Sequence, residues 1–252
     1  MNEDEAFIRA IVDSPGDDTP RLVYADWLDE RDDPRGPYLR AEHECARTGK
    51  KVKALRALGA ALDAVWVYRV SRPPLGVCLR NTPFDEDSCG PQLTRAEVER
   101  VGQEYGGFPT AYIAFLLNYN GGCCAGDVEV NGVVIAEFVS INGEHGNSIK
   151  YVVDHLADAS GPYGKFDLPN DRFPIAFTHG YANDYYCHAL MIVREKVARR
   201  GITYPLYNYD NPYANEVDDD DLADALDEDC YSYVASDFLA FIQEMDNSLN
   251  DS

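Results

Sequence analysis

Between Leu93 and Met245 the apolar residues change their spacing twice, and that order constrains the fold more than any other feature of the chain. Thr94 to Glu97 reads as a capping box, with Glu97 three residues after the capping threonine. Val98, Val101 and Tyr105 follow as a helical stripe, which Gly106-Gly107 ends. Phe108-Pro109 opens a second helix with Tyr112, Phe115, Leu116 and Tyr119 on one side, and in Asn120-Gly121-Gly122 a glycine is free to take the left-handed residue after it. The spacing then drops to two. Val128, Val130, Asn131-Gly132, Val133 and Ile135 predict a hairpin, because Asn-Gly tolerates the positive φ of a type I′ turn. Asn142-Gly143 marks another turn, and Ser148 caps a helix bearing Ile149, Val152, Val153 and Leu156. Pro174–Phe177, Tyr185–Val193 and Thr203–Tyr209 read as strands, with a turn from Gly180 to Asp184. Ser236 is expected to cap a last helix with Phe238, Leu239, Ile242 and Met245. Helices, then strands, then a helix make an α+β domain with a largely antiparallel sheet flanked by helices.

Upstream the pattern is helical. Phe7, Ile8, Ile11 and Val12 form one stripe. Thr19-Pro20 offers a cap and a proline at the first helical position, opening a helix with Leu22, Val23, Trp27 and Leu28 expected inside. Tyr38 to Cys45 and a stripe of Leu55, Leu58, Leu62, Val65 and Trp66 complete a module of about four helices. From Ser71 to Gln92 four prolines and Asp85-Glu86-Asp87 interrupt all periodicity, which reads as a linker. The expected organisation is a helical module over 1–70, a Pro-rich linker over 71–92 and an α+β domain over 93–248.

Charge narrows the partners. The 252 residues hold 22 Lys+Arg against 44 Asp+Glu, a formal net of -22. Residues 1–92 hold 17 acidic and 13 basic side chains, a net of -4, which leaves 27 acidic and 9 basic, a net of -18, for residues 93–252. Phosphate contacts need Lys and Arg, so nucleic acid is not an expected partner, nor is an anionic membrane surface. No apolar run reaches the roughly 20 residues of a membrane span, and the N-terminus lacks the basic and apolar regions of a secretory signal. Seven cysteines, an odd number without a CxxC, fit a reducing compartment, so the expectation is a cytoplasmic protein.

Two stretches resemble known families. "DDTPRLVYADWLDERDDPRGPYLR", residues 17–40, resembles the signature of the bacterial repeat-companion domain, departing from it at Asp32 and Pro37-Tyr38. That resemblance implies an accessory module and does not imply catalysis. "LTRAEVERVGQEYGGFPTAYIAFLLNYNGG" (93–122), "FPIAFTHGYANDYYCHAL" (173–190) and "VASDFLAFIQEM" (234–245) resemble, in order, the opening, middle strands and closing helix of the SUKH superfamily. Phe108 stands where that family has leucine, and an acidic insertion separates Asp210 from the last helix. The superfamily contains the fungal cell-wall-synthesis regulator and many bacterial immunity proteins, so the resemblance implies an intracellular protein that captures a protein toxin.

The residues themselves assemble no catalytic centre. GxSxG, HExxH and P-loop motifs are absent. Among the five histidines, His43-x-Cys45 has no partners and Cys187-His188 alternate across a strand, so no metal site is expected and no cofactor is implied. A dyad of Cys187 with His179 is the remaining catalytic alternative, without an orienting third group. Glu216 to Asp229 holds nine acidic residues in 14 and lacks the glycine of an EF-hand loop. It reads either as a solvated loop or as a docking surface for a basic partner. The expected partner-binding rim is Gly121, Gly122, Tyr181, Asn183, Asp184, Tyr207, Tyr209, Tyr213, Glu216, Asp218, Asp219, Asp220 and Asp221. The expected function is that of a non-catalytic protein-binding domain, an immunity protein that captures and neutralises a basic intracellular toxin, and the alternative is a regulatory scaffold or adaptor without a toxin partner.

Overall fold

The computed structural model describes residues 3–85, 87–142, 148–158, 171–178, 188–198, 201–210 and 231–251. Over these the chain is α+β: a helical N-terminal part, then a largely antiparallel sheet flanked by helices.

The first part is five helices rather than four: α1 (Glu3–Asp13), α2 (Thr19–Asp29), α3 (Arg35–Thr48), α4 (Val52–Gly59) and α5 (Ala64–Val70). The stripe from Leu55 to Trp66 breaks because Asp63 caps a new helix, its carboxylate accepting from the Trp66 amide at 2.9 Å. Leu58 is left exposed. The buried face of α2 is Arg21, Tyr24, Ala25 and Leu28, while Val23 is exposed and Leu22 and Trp27 are half-buried. Polar pairing sets that face. Arg21 lies 3.5 Å from Glu42 and donates to the Val70 carbonyl, and both side chains are nearly inaccessible. Arg72 closes the cluster, its amide donating to Glu42 at 3.0 Å and its guanidinium to Asp18. A buried ion pair, with Arg21 bonded to Val70 and Glu42 to Arg72, holds a helix face that a purely apolar pattern assigns elsewhere.

The second part opens with α6 (Arg95–Glu104) and α7 (Thr110–Asn118). Thr94 and Glu97 form the capping box as read. Asn120, not a glycine, takes the first left-handed position after α7, with φ of 48°. Strands β1 (Gly122–Val130) and β2 (Val133–Phe138) form the Asn131-Gly132 hairpin. Asn131 and Gly132 take φ of 51° and 84°, as a type I′ turn requires. After α8 (Ile149–Asp158) come β3 (Arg172–Thr178) and β4 (His188–Val193), a short hairpin of β5 (Glu195–Val197) and β6 (Gly201–Thr203), then β7 (Leu206–Asp210), β8 (Tyr231–Ala235) and α9 (Phe238–Asp251). The sheet order is β1-β2-β3-β4-β7-β8, antiparallel throughout. One face packs on α7 and α9 through Tyr112, Phe115, Phe138, Phe173, Phe238 and Phe241, whose rings meet at 5.1–6.4 Å. The Asn131 amide reaches the Val234 carbonyl at 2.9 Å, so the hairpin tip meets the opposite edge strand and the sheet curls.

Residues 71–92 do not behave as a tether. Val77, Cys78 and Leu79 are fully buried, and Phe84 packs edge-on against Phe115 and Phe138. Prolines keep this segment out of a ladder, so other groups satisfy its backbone. The Leu79 amide donates to the Tyr119 hydroxyl at 3.0 Å, the Arg80 amide to Asp246 at 2.8 Å and the Asp85 amide to the Cys123 carbonyl at 2.9 Å. The result is a strap across α7, α9 and the start of β1. A single apolar core runs from Ile8 to Met245 through both parts.

Candidate functional site

Strand register decides which of the expected rim residues can share a surface. Val130 pairs with Val133, and Ile135 pairs with Thr178, so the β1–β2 turn and the end of β3 lie at one end of the sheet. Phe177 pairs with Ala189, His188 with Asp210 and Tyr209 with Tyr231, which brings the start of β4, the end of β7 and the start of β8 to that same end. The chain therefore leaves the described residues at Thr178 and Asp210 and re-enters at His188 and Tyr231 at a single sheet end. Tyr181, Asn183, Asp184, Tyr213, Glu216, Asp218, Asp219, Asp220 and Asp221 themselves lie outside the described residues.

Gly121 and Gly122 are not part of that surface. Gly122 pairs with Phe138 at the opposite end of β1, and both glycines are buried. Their roles are steric. A Cβ on Gly121, with φ of 80°, would stand 2.7 Å from the Phe138 carbonyl oxygen and 2.8 Å from the Ser140 nitrogen. One on Gly122, with φ of 131°, would meet Cys89, Phe84 and Ser88 at 3.0 Å. The expectation of a binding loop there gives way to the requirement for close backbone approach.

The two described tyrosines of the rim differ. Tyr209 is buried and its ring lies 5.0 Å from that of Tyr231, so it is a core residue. Tyr207 is half-buried and donates from its hydroxyl to Glu195 at 3.0 Å, while its ring meets Tyr233 edge-on at 5.8 Å. Burial and the Glu195 carboxylate raise its phenol above the ordinary value. Tyr233 is 60% exposed, and Arg172 sits 5.0 Å over the Tyr231 ring. Tyr231 and Tyr233 flank the acidic tract in sequence but stand outside the expected rim, and β8 is not among the strands expected from the sequence. The alternation in Tyr231-Ser232-Tyr233-Val234 is the signal that finds it.

Elsewhere, a cleft of about 660 Å³ follows the seam between the two parts, floored by Ile8, Trp66 and Leu117. Its guanidinium groups are already engaged: Arg35 with Asp4 and Asp33, Arg69 with Glu5, Arg95 with Asp63 and Glu99. Its charges are compensated internally. Burial pushes the thiol of Cys123 up to about 11 and that of Cys124 up to about 12, with the neighbouring Glu137 and Asp85 adding to the shift, while Cys89 is exposed. Shifts in that direction disfavour the thiolate at Cys123 and Cys124. Among the described residues no group of three His, Cys, Asp or Glu side chains converges as a metal site would, and no helix is long and apolar enough to cross a membrane. His179 and Cys187 lie outside the described residues. No protein-family model matches the chain, and no curated protein matches it by sequence.

Proposed function

We propose that this protein is a non-catalytic protein-binding molecule of SUKH type, carrying a repeat-companion-like N-terminal part, that captures a basic intracellular protein and, as an immunity protein, neutralises it. The observation that carries the reading is the convergence of strand ends. Residues 179–187 and 211–230, which hold Tyr181, Asp184, Tyr213 and the run Asp218 to Asp221, are both attached at one end of the sheet. Tyr209 and Tyr231, next to the points where the described chain stops before the acidic tract and resumes after it, pair across β7 and β8, and the exposed Tyr233 stands two residues further along β8. A surface of one sign accelerates encounter with an oppositely charged protein by roughly 10–10³-fold. Tyrosine adds rigid contact area with a polar tip. Many toxin domains that act on nucleic acid are basic, which suits the net of -18 in residues 93–252.

Capture from the native host, with identification of the bound protein and its co-expression in a test strain, examines this reading. The expected result is a strongly basic protein whose toxicity this chain relieves. A partner without toxicity supports the adaptor reading in its place. Partners that are neutral or acidic overturn the electrostatic basis of both.

A further inference from the structure

Two arginines of the N-terminal part take no part in the proposed binding surface, Arg9 of α1 and Arg69 of α5. Both reach the C-terminal end of α7. Arg9 Nη1 donates to the Asn118 carbonyl at 2.6 Å. Arg69, 6% exposed, donates from Nε to Asn118 Oδ1 at 2.9 Å and from Nη2 to the Leu117 carbonyl at 3.3 Å. Asn118 answers with its own side chain, Nδ2 donating to the Arg69 carbonyl at 3.0 Å. Glu5 holds the guanidinium from the other side at 2.8 and 2.6 Å, and Gln92 donates to the same carboxylate at 3.1 Å.

The chemistry of that contact is specific. The last carbonyls of a helix lack intrahelical partners and carry the negative end of its dipole. Planar guanidinium donors suit them, and a bidentate carboxylate behind Arg69 compensates the charge that burial would otherwise penalise. Directly after these carbonyls the chain turns through Asn120, Gly121 and Gly122, at φ of 48°, 80° and 131°, into β1. An accessory module standing free would leave such groups in water. Here Arg69 is 6% exposed.

We propose that the N-terminal part is an intramolecular clamp whose ligand is the carbonyl end of α7, and that through this grip it fixes the turn into β1 and makes both parts unfold as one unit. The proposal does not depend on the partner named above. Urea unfolding of the full chain tests it, because both tryptophans lie in the N-terminal part: Trp27 reports on that part, and Trp66, which lines the seam cleft, on its docking as well. Far-UV circular dichroism reports on the whole, and hydrogen exchange at the Tyr119 and Asn120 amides, bonded to the Phe115 and Leu116 carbonyls at 2.9 and 3.0 Å, reports on the clamped end. In the wild type the two optical transitions should coincide. In Arg69→Met the tryptophan transition should move to lower urea, and exchange at the two amides should quicken by about tenfold or more. Arg9→Met removes a more exposed side chain and keeps the Arg69–Glu5 pair, so it folds if Arg69→Met does not, and should quicken the same amides by a smaller factor. Separate transitions in the wild type, or unchanged exchange at both amides in the variants that fold, overturn the clamp.

Discussion

Gly121 separates two explanations of the same residue. As a rim residue it would tolerate alanine with loss of binding alone. As the structure has it, alanine there combines a left-handed backbone with contacts under 3 Å to the Phe138 and Ser140 backbone, and the cost is roughly 2–5 kcal/mol of folding stability. Denaturant unfolding of Gly121→Ala should therefore show a large loss, and a change below about 0.5 kcal/mol would return the residue to the surface. The cysteines give a second residue-scale prediction. With thiol values near 11 and 12, Cys123 and Cys124 should alkylate at pH 7 roughly 10²-fold or more slowly than free cysteine, and the rates should rise with pH as thiolate forms. Peptide-resolved mass spectrometry measures each. A fast-reacting thiol at neutral pH at either would favour a thiol-enzyme reading. At this scale the sequence spoke clearly where a residue type has one local use, as in the Thr94–Glu97 box or Asn131-Gly132. It misled where burial depends on distant groups: nothing near Gly121 in the chain announces Phe138 and Ser140, and Tyr209 is a core residue because of Tyr231 across the strand pair.

At the scale of elements, helices and the main strands were legible because a 3–4 spacing or an alternation is a local property. The exceptions include two strands and one helix cap. The strand expected over Thr203–Tyr209 is interrupted at Pro205, which lacks the amide that a ladder needs, and its N-terminal piece turns back to pair with β5. β8 is only five residues long and adjoins the acidic tract, so its alternation was lost beside a stronger compositional signal. The cap of α9 sits one residue later than expected. Asp237 Oδ1 accepts from the Ala240 amide at 3.0 Å, while Ser236 bonds only the Asp237 side chain, at 3.4 Å. Asp237→Ala should accordingly lower stability by about 1 kcal/mol. Ser236→Ala should fall within about 0.5 kcal/mol of wild type. Equal losses in the two variants would restore the serine as the cap.

For the whole molecule, composition misdirected the reading at one place. Proline density between Ser71 and Gln92 suggested a linker, yet the same segment buries Val77, Cys78 and Leu79 and joins the parts into one core. Prolines prevent regular pairing; they do not prevent packing, and an apolar triplet between them marks a segment with something to bury. Charge sums without regard to fold, so its distribution along the chain stands whatever the packing. Of the net -22, -18 belongs to residues 93–252, and nine acidic groups fall in one stretch of 14 that joins β7 to β8. Whether that stretch recruits the partner is the central claim, and association kinetics test it most directly. Stopped-flow rates with the captured basic protein, compared between wild type and a variant with Asp218, Asp219, Asp220 and Asp221 all changed to Asn, should differ by about tenfold or more at low salt and converge as salt screens the charges. Equal association rates at low salt would contradict it.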